Sequence, residues 1–404
     1  MKVVQINGGV FGSTGKIMHG IKKACTEAGI DVLCASPITS TNRKKEPNFE
    51  YKKIGTYWRR RFCSLLDRFS GKHDSHAKKA TKKFLKELDK YKPDIIHLHN
   101  IHGSFLNIEL LFDYINCRNL KLIWTFHDCW PFTGHCAHFD MIACNKWQSH
   151  CHSCPILKSY PRTIVDSSSQ EFDRKRSLFN GVKNLTIVTP SNWLKQKVGN
   201  SFLNSWPCEV INNGIDLSIY KPTKGDFRDK HNLSHKKIIL GVSFGWDYAK
   251  GLDVFIELSS MIPQEYKIVL VGTDEKVDKL IPDNIISIHR THDQSELAEI
   301  YSAADVFVNP TRQDTFPTVN MESLACGTPV ITFKTGGSTE IITPECGIAI
   351  DKNDIKALYS AIIKMCDNSN KESCVIECQK QSVKFDEKIA FNKYADLYLK
   401  VFSS

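Results

Sequence analysis

Asp305-Val-Phe-Val-Asn-Pro310-Thr-Arg-Gln-Asp314-Thr-Phe-Pro-Thr318-Val-Asn-Met-Glu322-Ser-Leu-Ala-Cys-Gly327-Thr-Pro329-Val330 reads as a buried strand, a polar loop, a helix and the start of a second strand. The apolar run stops at Pro310, and helical spacing begins at Thr318 or Val319. Continuous rather than alternating apolar strands joined through a helix indicate a parallel sheet covered on both faces. Backbone N–H groups at such a helix start can hold a phosphate, helped by the helix dipole. Glu322 lies about one turn in, where a carboxylate can reach a pair of sugar hydroxyls, and Asp314 precedes it with seven residues between. Spacing alone equally allows a capping loop followed by a surface glutamate.

The same pattern recurs in both directions. Upstream, Lys2-Val-Val-Gln-Ile-Asn7 ends in Gly8-Gly9, a Gly/Ser/Thr loop follows to Gly15, and helical spacing runs through Ile17, Met18, Ile21 and Cys25. Ile30 to Ala35, Pro93 to His99, Leu122 to Phe126, Leu185 to Thr189 and Cys208 to Asn212 read as further strands. Composition turns polar across 221–237, the best linker candidate, and strands restart at Ile238 to Val242, Tyr266 to Val271, Ile285 to His289 and Val306 to Val308. The expectation is an α/β protein of two Rossmann-like doubly wound domains. The first covers 1–220 and the second 238–384, each with ligand ground at the carboxyl ends of its strands. A final helical segment, 385–404, is expected to pack back on the first.

Length and composition agree with two soluble cores: 404 residues, 41% hydrophobic and 24% charged. No apolar run approaches the roughly 20 residues that cross a bilayer, and the first residues lack a secretory h-region, so a cytoplasmic chain is expected. The net charge of +10 favours an anionic partner. Cations concentrate between Lys52 and Lys92, where Trp58-Arg-Arg-Arg-Phe62 leads into Leu65, Leu66 and Phe69 at near-helical spacing. One reading is a helix packed on its domain through Leu65, Leu66 and Phe69; the other is a basic helix lying in a lipid interface. Of 15 cysteines, Cys34, Cys326 and Cys346 read as buried thiols. Cys136, Cys144, Cys151 and Cys154 cluster among histidines and read as a structural zinc site, free thiols or a disulfide.

The 305–330 stretch, with Gly336-Gly-Ser-Thr-Glu340, resembles the acidic-x7-acidic signature of family 4 retaining glycosyltransferases with the GT-B fold. Other segments follow in family order over nearly the whole chain: Asn7-Gly8-Gly9 with Gly12-Ser-Thr-Gly15, Pro93 to His99, Thr125-Phe-His127-Asp128, Pro190 to Leu194, Val210 to Asp216, and Lys250-Gly-Leu-Asp253. Together they resemble bacterial capsular and exopolysaccharide glycosyltransferases, whose two domains face each other across a cleft; the resemblance implies that 1–220 binds the acceptor and 238–384 the nucleotide-sugar. The resemblance implies hexosyl-type transfer, with retention, from a nucleotide-diphosphate sugar to a glycan, fitting a lipid-pyrophosphate-linked acceptor at the cytoplasmic face of the inner membrane. It implies no cofactor for catalysis, and no nucleic acid is expected as a partner. Gly9, Gly12 and Gly15 would allow close approach of a donor phosphate or the acceptor. Lys250 would neutralise the leaving diphosphate and Glu322 would hold the ribose. Asp314 would touch the transferred sugar, with His127 beside it, and the amides of Thr318, Val319 and Asn320 would hold phosphate. Two departures stand out. No arginine lies in Phe244 to Ala249, so Arg312 is expected to share the diphosphate charge, and the first acid is Asp314 rather than the commoner Glu. The rivals are a nucleotide-sugar epimerase or hydrolase on the same fold, and a basic, zinc-containing nucleic-acid-binding protein.

Overall fold

The long apolar runs become strands because a parallel sheet buries both of its faces, so every residue along the run can be apolar. In a computed structural model, which describes residues 1–367 and 371–404, they form two sheets. The first holds β1 (Lys2–Ile6), β2 (Asp31–Pro37), β3 (Lys52–Ile54), β4 (Ile95–Leu98), β5 (Lys121–Thr125), β6 (Leu185–Thr189) and β7 (Cys208–Val210) in the order β3-β2-β1-β4-β5-β6-β7. The second holds β8 (Lys237–Val242), β9 (Tyr266–Val271), β10 (Ile285–Ile288), β11 (Val306–Asn309), β12 (Val330–Phe333) and β13 (Gly347–Ile350) in the order β10-β9-β8-β11-β12-β13. The neighbouring strands run parallel throughout, with registers such as Val3↔Ile95 and Phe307↔Val330. Both orders reverse direction at one point, between β1 and β4 and between β8 and β11. Doubly wound sheets open a crevice there, beyond the carboxyl ends of the strands.

Six helices carry the residues that matter for the site and the surface: α1 (Gly12–Glu27), α2 (Tyr57–Ser70), α3 (Lys78–Tyr91), α4 (Leu252–Ser259), α5 (Thr318–Ala325) and α6 (Glu387–Ser403). The chain divides into two compact units, 1–212 with 390–404, and 213–389. In the second unit, Ile238 and Leu240 face one core while Ile239 faces another on the opposite side of the sheet. In the first, Phe391, Tyr394, Tyr398 and Val401 of α6 pack against Val3, Ile17, Ile21 and Ile95. Gly20 of α1 makes room for the Phe391 ring, which a Cβ at that position would meet at 2.0 Å.

Three expectations change. Residues 221–237 are part of the second unit rather than a linker, and the division falls after Asn212 rather than at 220. Phe227 and Leu233 are buried in that unit's core, and Arg228 reaches Asp305 at 2.7 Å, so the polar composition hides two apolar anchors and an ion pair. The short edge strands β3 and β13 went unread. Finally, α2 does not pack through Leu65 and Phe69, which are 50% and 58% exposed. Its buried side chains are Cys63 and Asp67.

Candidate functional site

In the second unit the loops after β8 and β11 meet. Lys250 ends the loop after β8, where Gly251 takes φ +77°; a Cβ there would lie 2.6 Å from the Pro310 carbonyl, so only glycine allows this approach. The Lys250 Nζ stands 3.0 Å from Asp314 Oδ2, with the two side chains 37% and 22% exposed. Asp314 Oδ1 accepts the Phe316 N–H at 3.3 Å. Behind it, Gly336 at φ +54° brings its Cα against the Asp314 carbonyl, which a Cβ would meet at 1.6 Å, and the Gly337 N–H donates to Thr315 O. The acidic loop is therefore fixed from both sides by backbone.

The first turn of α5 follows. Pro317 precedes it without a side-chain cap. The Asn320 N–H reaches Pro317 O at 3.3 Å, while Thr318 and Val319 are half-buried at the helix start. An uncapped helix start presents N–H groups and a positive dipole end, the chemistry that binds phosphate. The Asn320 amide turns inward instead and accepts from Asn309 Nδ2 at 2.8 Å. Glu322, one turn on and half-buried, accepts the Tyr301 hydroxyl at 3.2 Å. Three buried polar atoms near the carboxyl ends of β11 and β12 lack a partner among the described residues: Asn320 Nδ2, Thr335 Oγ1 and Ser338 Oγ.

Arg312, expected to share a diphosphate's charge, is engaged with protein groups. Its guanidinium bonds Asp253 at 2.7 and 2.8 Å, Asn353 Oδ1 at 2.8 Å and the Tyr248 carbonyl, lies 3.8 Å over the Tyr248 ring, and is 4% exposed. With four of its five N–H donors engaged and its face covered, it clamps the loop after β11 to α4. Lys250 is thus the cation that the two loops present.

In the first unit, the candidate glycines part company. Gly12, at φ +79°, opens onto empty space, and Gly9 has only the Phe11 carbonyl within reach. Gly15 is a packing position: a Cβ there would meet the Val10 carbonyl carbon at 2.4 Å. Asn7 ties this loop together through Gly9 O at 2.8 Å and Thr14 Oγ1 at 3.1 Å.

His127 belongs to a hydrogen-bonded chain that the sequence reading missed. Gln5 Nε2 donates to Met18 O at 3.2 Å, so its Oε1 accepts His99 Nε2–H at 2.9 Å. Neutral His99 then offers Nδ1 as an acceptor to His127 Nε2–H at 3.1 Å. The tautomer follows: His127 carries its proton on Nε2 and a lone pair on Nδ1. Burial pulls its pKa down to about 4 against the pull of Asp128, so the ring is neutral at physiological pH. Beside it, His102 Nε2 meets Asp128 Oδ2 at 2.8 Å and its Nδ1 meets the Tyr160 hydroxyl at 2.8 Å. Burial alone would raise the Asp128 pKa, but His102 and the Trp130 N–H outweigh it and hold it at about 2. The signals for His99 and His102 were present at the carboxyl end of β4, in His99-Asn-Ile-His102.

Cys136, Cys144, Cys151 and Cys154 line one cavity of about 20 Å³ with Phe139 and Trp147, and the Gly134 N–H donates to Cys151 Sγ at 3.2 Å. Burial raises the Cys136 thiol to about 12 and Cys151 to about 11. Among the described residues no group of three or more His, Cys, Asp or Glu is placed to hold a metal ion. Zinc would therefore require the thiols to draw together.

Two doubly wound units, one of them placing a cation, two acids and an uncapped helix start at its switch point, define an α/β protein of the two-domain Rossmann-like class. Residues 15–219 match the family described as Glycosyltransferase Family 4, and residues 223–381 match Glycosyl transferases group 1. The chain belongs to glycosyltransferase family 4. It is 26% identical over 275 residues to the putative colanic acid biosynthesis glycosyl transferase WcaC of Escherichia coli, covering 66% of each chain. It is 23% identical over 214 residues to the N,N'-diacetylbacillosaminyl-diphospho-undecaprenol alpha-1,3-N-acetylgalactosaminyltransferase of Campylobacter jejuni, covering 48% of this chain and 54% of that one. The chain thus spans no more than 66% of either relative's length. The structure of Anabaena HepE in complex with UDP superposes with a TM-score of 0.69 at 14% identity, covering 99% of this chain and 100% of that one, and the shared fold is GT-B.

Proposed function

We propose that the protein transfers a hexosyl group, with retention, from a nucleoside-diphosphate sugar to a lipid-linked glycan acceptor in surface-polysaccharide assembly. The observation that carries the reading is the second unit's switch point, where Lys250, Asp314, Glu322 and the start of α5 converge. Lys250 Nζ has three protons, so one can remain on Asp314 while others meet the diphosphate. The amides at Thr318 and Val319 take a phosphate, Glu322 takes the ribose hydroxyls, and Asp314 takes a hydroxyl of the sugar. The bond from the anomeric carbon to phosphate breaks, a bond to the acceptor oxygen forms on the same face, and the acceptor proton passes to the departing diphosphate. Fixed positive charge at the leaving group is the group contribution of most weight in such a step. In the first unit, His127, held neutral by burial, is assigned to orient a substrate hydroxyl. The relatives' printed names support the polysaccharide and diphospho-undecaprenol parts of this reading, and HepE's complex supports a UDP donor. A structural zinc at the four clustered thiols belongs to the proposal as well, supported by their shared cavity.

The test is a panel of UDP-, GDP-, ADP- and CMP-sugars by thermal shift, with binders rerun on acceptor-bearing membranes. One donor is expected to stabilise the protein and to be consumed only when acceptor is present. Consumption without acceptor would favour an epimerase or hydrolase, and the absence of any binder would overturn the site.

A further inference from the structure

Helix α2 is built inside out. Trp58, Phe62, Leu65 and Phe69 stand at i, i+4, i+7 and i+11, so they form one stripe along the helix. That stripe faces solvent: the four side chains are 70%, 60%, 50% and 58% exposed. The face turned to the protein is polar and tightly held. Asp67, 3% exposed, accepts the Asp74 N–H at 3.1 Å and pairs with His76 at 2.6 Å, while Arg60 reaches the Gly103 carbonyl at 3.4 Å. The helix has a Thr56 side-chain cap at its start and Gly71 in the left-handed region at its end. Its direction is thus set by buried bonds, and the outward stripe is a fixed feature. Ile164 extends the apolar surface at the far end: its N–H donates to Arg68 O, and it is 59% exposed.

The surroundings name the occupant. Arg59, Arg61, Arg68 and Lys72 flank the stripe and are exposed, and Arg43 stacks 5.4 Å from the Trp58 ring. Between Tyr57 and Lys72 the sole acid is the buried Asp67. The next helix in the chain, α3, exposes Lys78, Lys79, Lys82, Lys83, Lys86 and Lys90 against one exposed acid, Asp89. A second copy of this face would set cations against cations under two-fold symmetry. An apolar stripe with aromatic residues, bordered by arginines, matches a bilayer: acyl chains for the stripe, anionic headgroups for the cations.

We infer that α2 is the membrane-docking element, inserting Trp58, Phe62, Leu65 and Phe69 into the interface of an anionic bilayer while Arg59, Arg61 and Arg68 hold headgroup phosphates. The docking stands on α2 itself; its use, bringing the protein to a lipid-linked acceptor, rests on the transfer proposed above.

The experiment is flotation of the full chain with vesicles of phosphatidylcholine alone and with vesicles containing phosphatidylglycerol, in the absence of donor and acceptor. Binding is expected only to the anionic vesicles, weakening with salt, with a blue shift of tryptophan emission that disappears in Trp58→Phe. Replacing Arg59, Arg61 and Arg68 together by Gln should weaken binding by roughly a hundredfold or more. Phe62→Ser/Phe69→Ser should abolish it, with unchanged Tm and unchanged consumption of donor with a water-soluble acceptor. Equal binding by the wild type and Phe62→Ser/Phe69→Ser would overturn the inference. So would failure to bind anionic vesicles, or a dimer in solution that those serines dissolve. Because the vesicles carry no substrate, loss of docking and loss of transfer are read separately.

Discussion

Replacing Lys250 by Met separates catalysis from stability more cleanly than any other change at the switch point. Met keeps the apolar stem and removes the charge. In the unliganded protein Lys250 and Asp314 form a half-exposed pair at 3.0 Å, and such pairs contribute only about 0–1 kcal/mol to folding. The Tm should therefore move little. With donor bound, the same change removes the cation beside the leaving diphosphate, and losing one such stabilising donor costs about 3–4 kcal/mol, or roughly 10²–10³ in kcat/KM. Asp314 is then left as an unpaired carboxylate next to an incoming polyanion. Asp314→Asn alone loses a charge-assisted bond to the sugar, about 1.5–3 kcal/mol. In the double variant the repulsion is gone, so the combined loss should fall short of the sum by about 1–3 kcal/mol. The assay is kcat/KM with the donor that the panel selects, alongside urea unfolding of all four proteins. Lys250→Met at wild-type kcat/KM refutes the cation's role; strictly additive losses refute the coupling of the pair at the diphosphate.

Gly336→Ala should lower the Tm and weaken donor binding together. The left-handed backbone alone costs about 1–2 kcal/mol, and the new Cβ, 1.6 Å from the Asp314 carbonyl, must displace the acidic loop; an unchanged Tm would remove that loop from the argument. Stability should fall as pH drops from about 6.5 toward 4, read as a lower urea midpoint at pH 5 than at 7.5. Burial holds His97 at about 3 and His127 and His135 at about 4, and lowers His73 further, so the unfolded chain takes up protons that the folded one refuses. Asp74, raised to about 7 by burial and by Asp67, acts in the opposite sense with Glu171 and His289, whose pKa values are also raised, but these three stand against six rings, since burial lowers His99 and His19 too. A flat or rising profile on acidification would contradict the buried neutral rings. Elemental analysis of protein purified without chelator is expected to find stoichiometric zinc, with a lower Tm after chelation. Metal-free protein of unchanged Tm would leave Cys136, Cys144, Cys151 and Cys154 as free thiols.

How much each segment reveals in the sequence depends on how many constraints it carries. The runs at Ile238 to Val242 and Tyr266 to Val271 were legible because a strand buried on both faces leaves no polar interruption. β3 and β13 are three- and four-residue edge strands, too short to show a period. The strand–loop–helix stretch that carries Asp314, Thr318 and Glu322 was legible because it is continuous in the sequence. Arg312 lies in the same stretch, yet adjacency says nothing about direction, and its partner Asp253 is 59 residues away on α4. The Gln5, His99 and His127 chain was invisible for a related reason: its members are 94 and 28 residues apart and meet only because the sheet order sets β1, β4 and β5 side by side. Helix α2 is the sharpest case. Its period was plain, but periodicity fixes that an apolar stripe exists, not which way it faces. The direction is decided by Asp67, whose carboxylate needs the Asp74 N–H and His76 and so must turn inward. A buried acid, rather than the four large apolar side chains opposite it, sets the face that this protein offers to its surroundings.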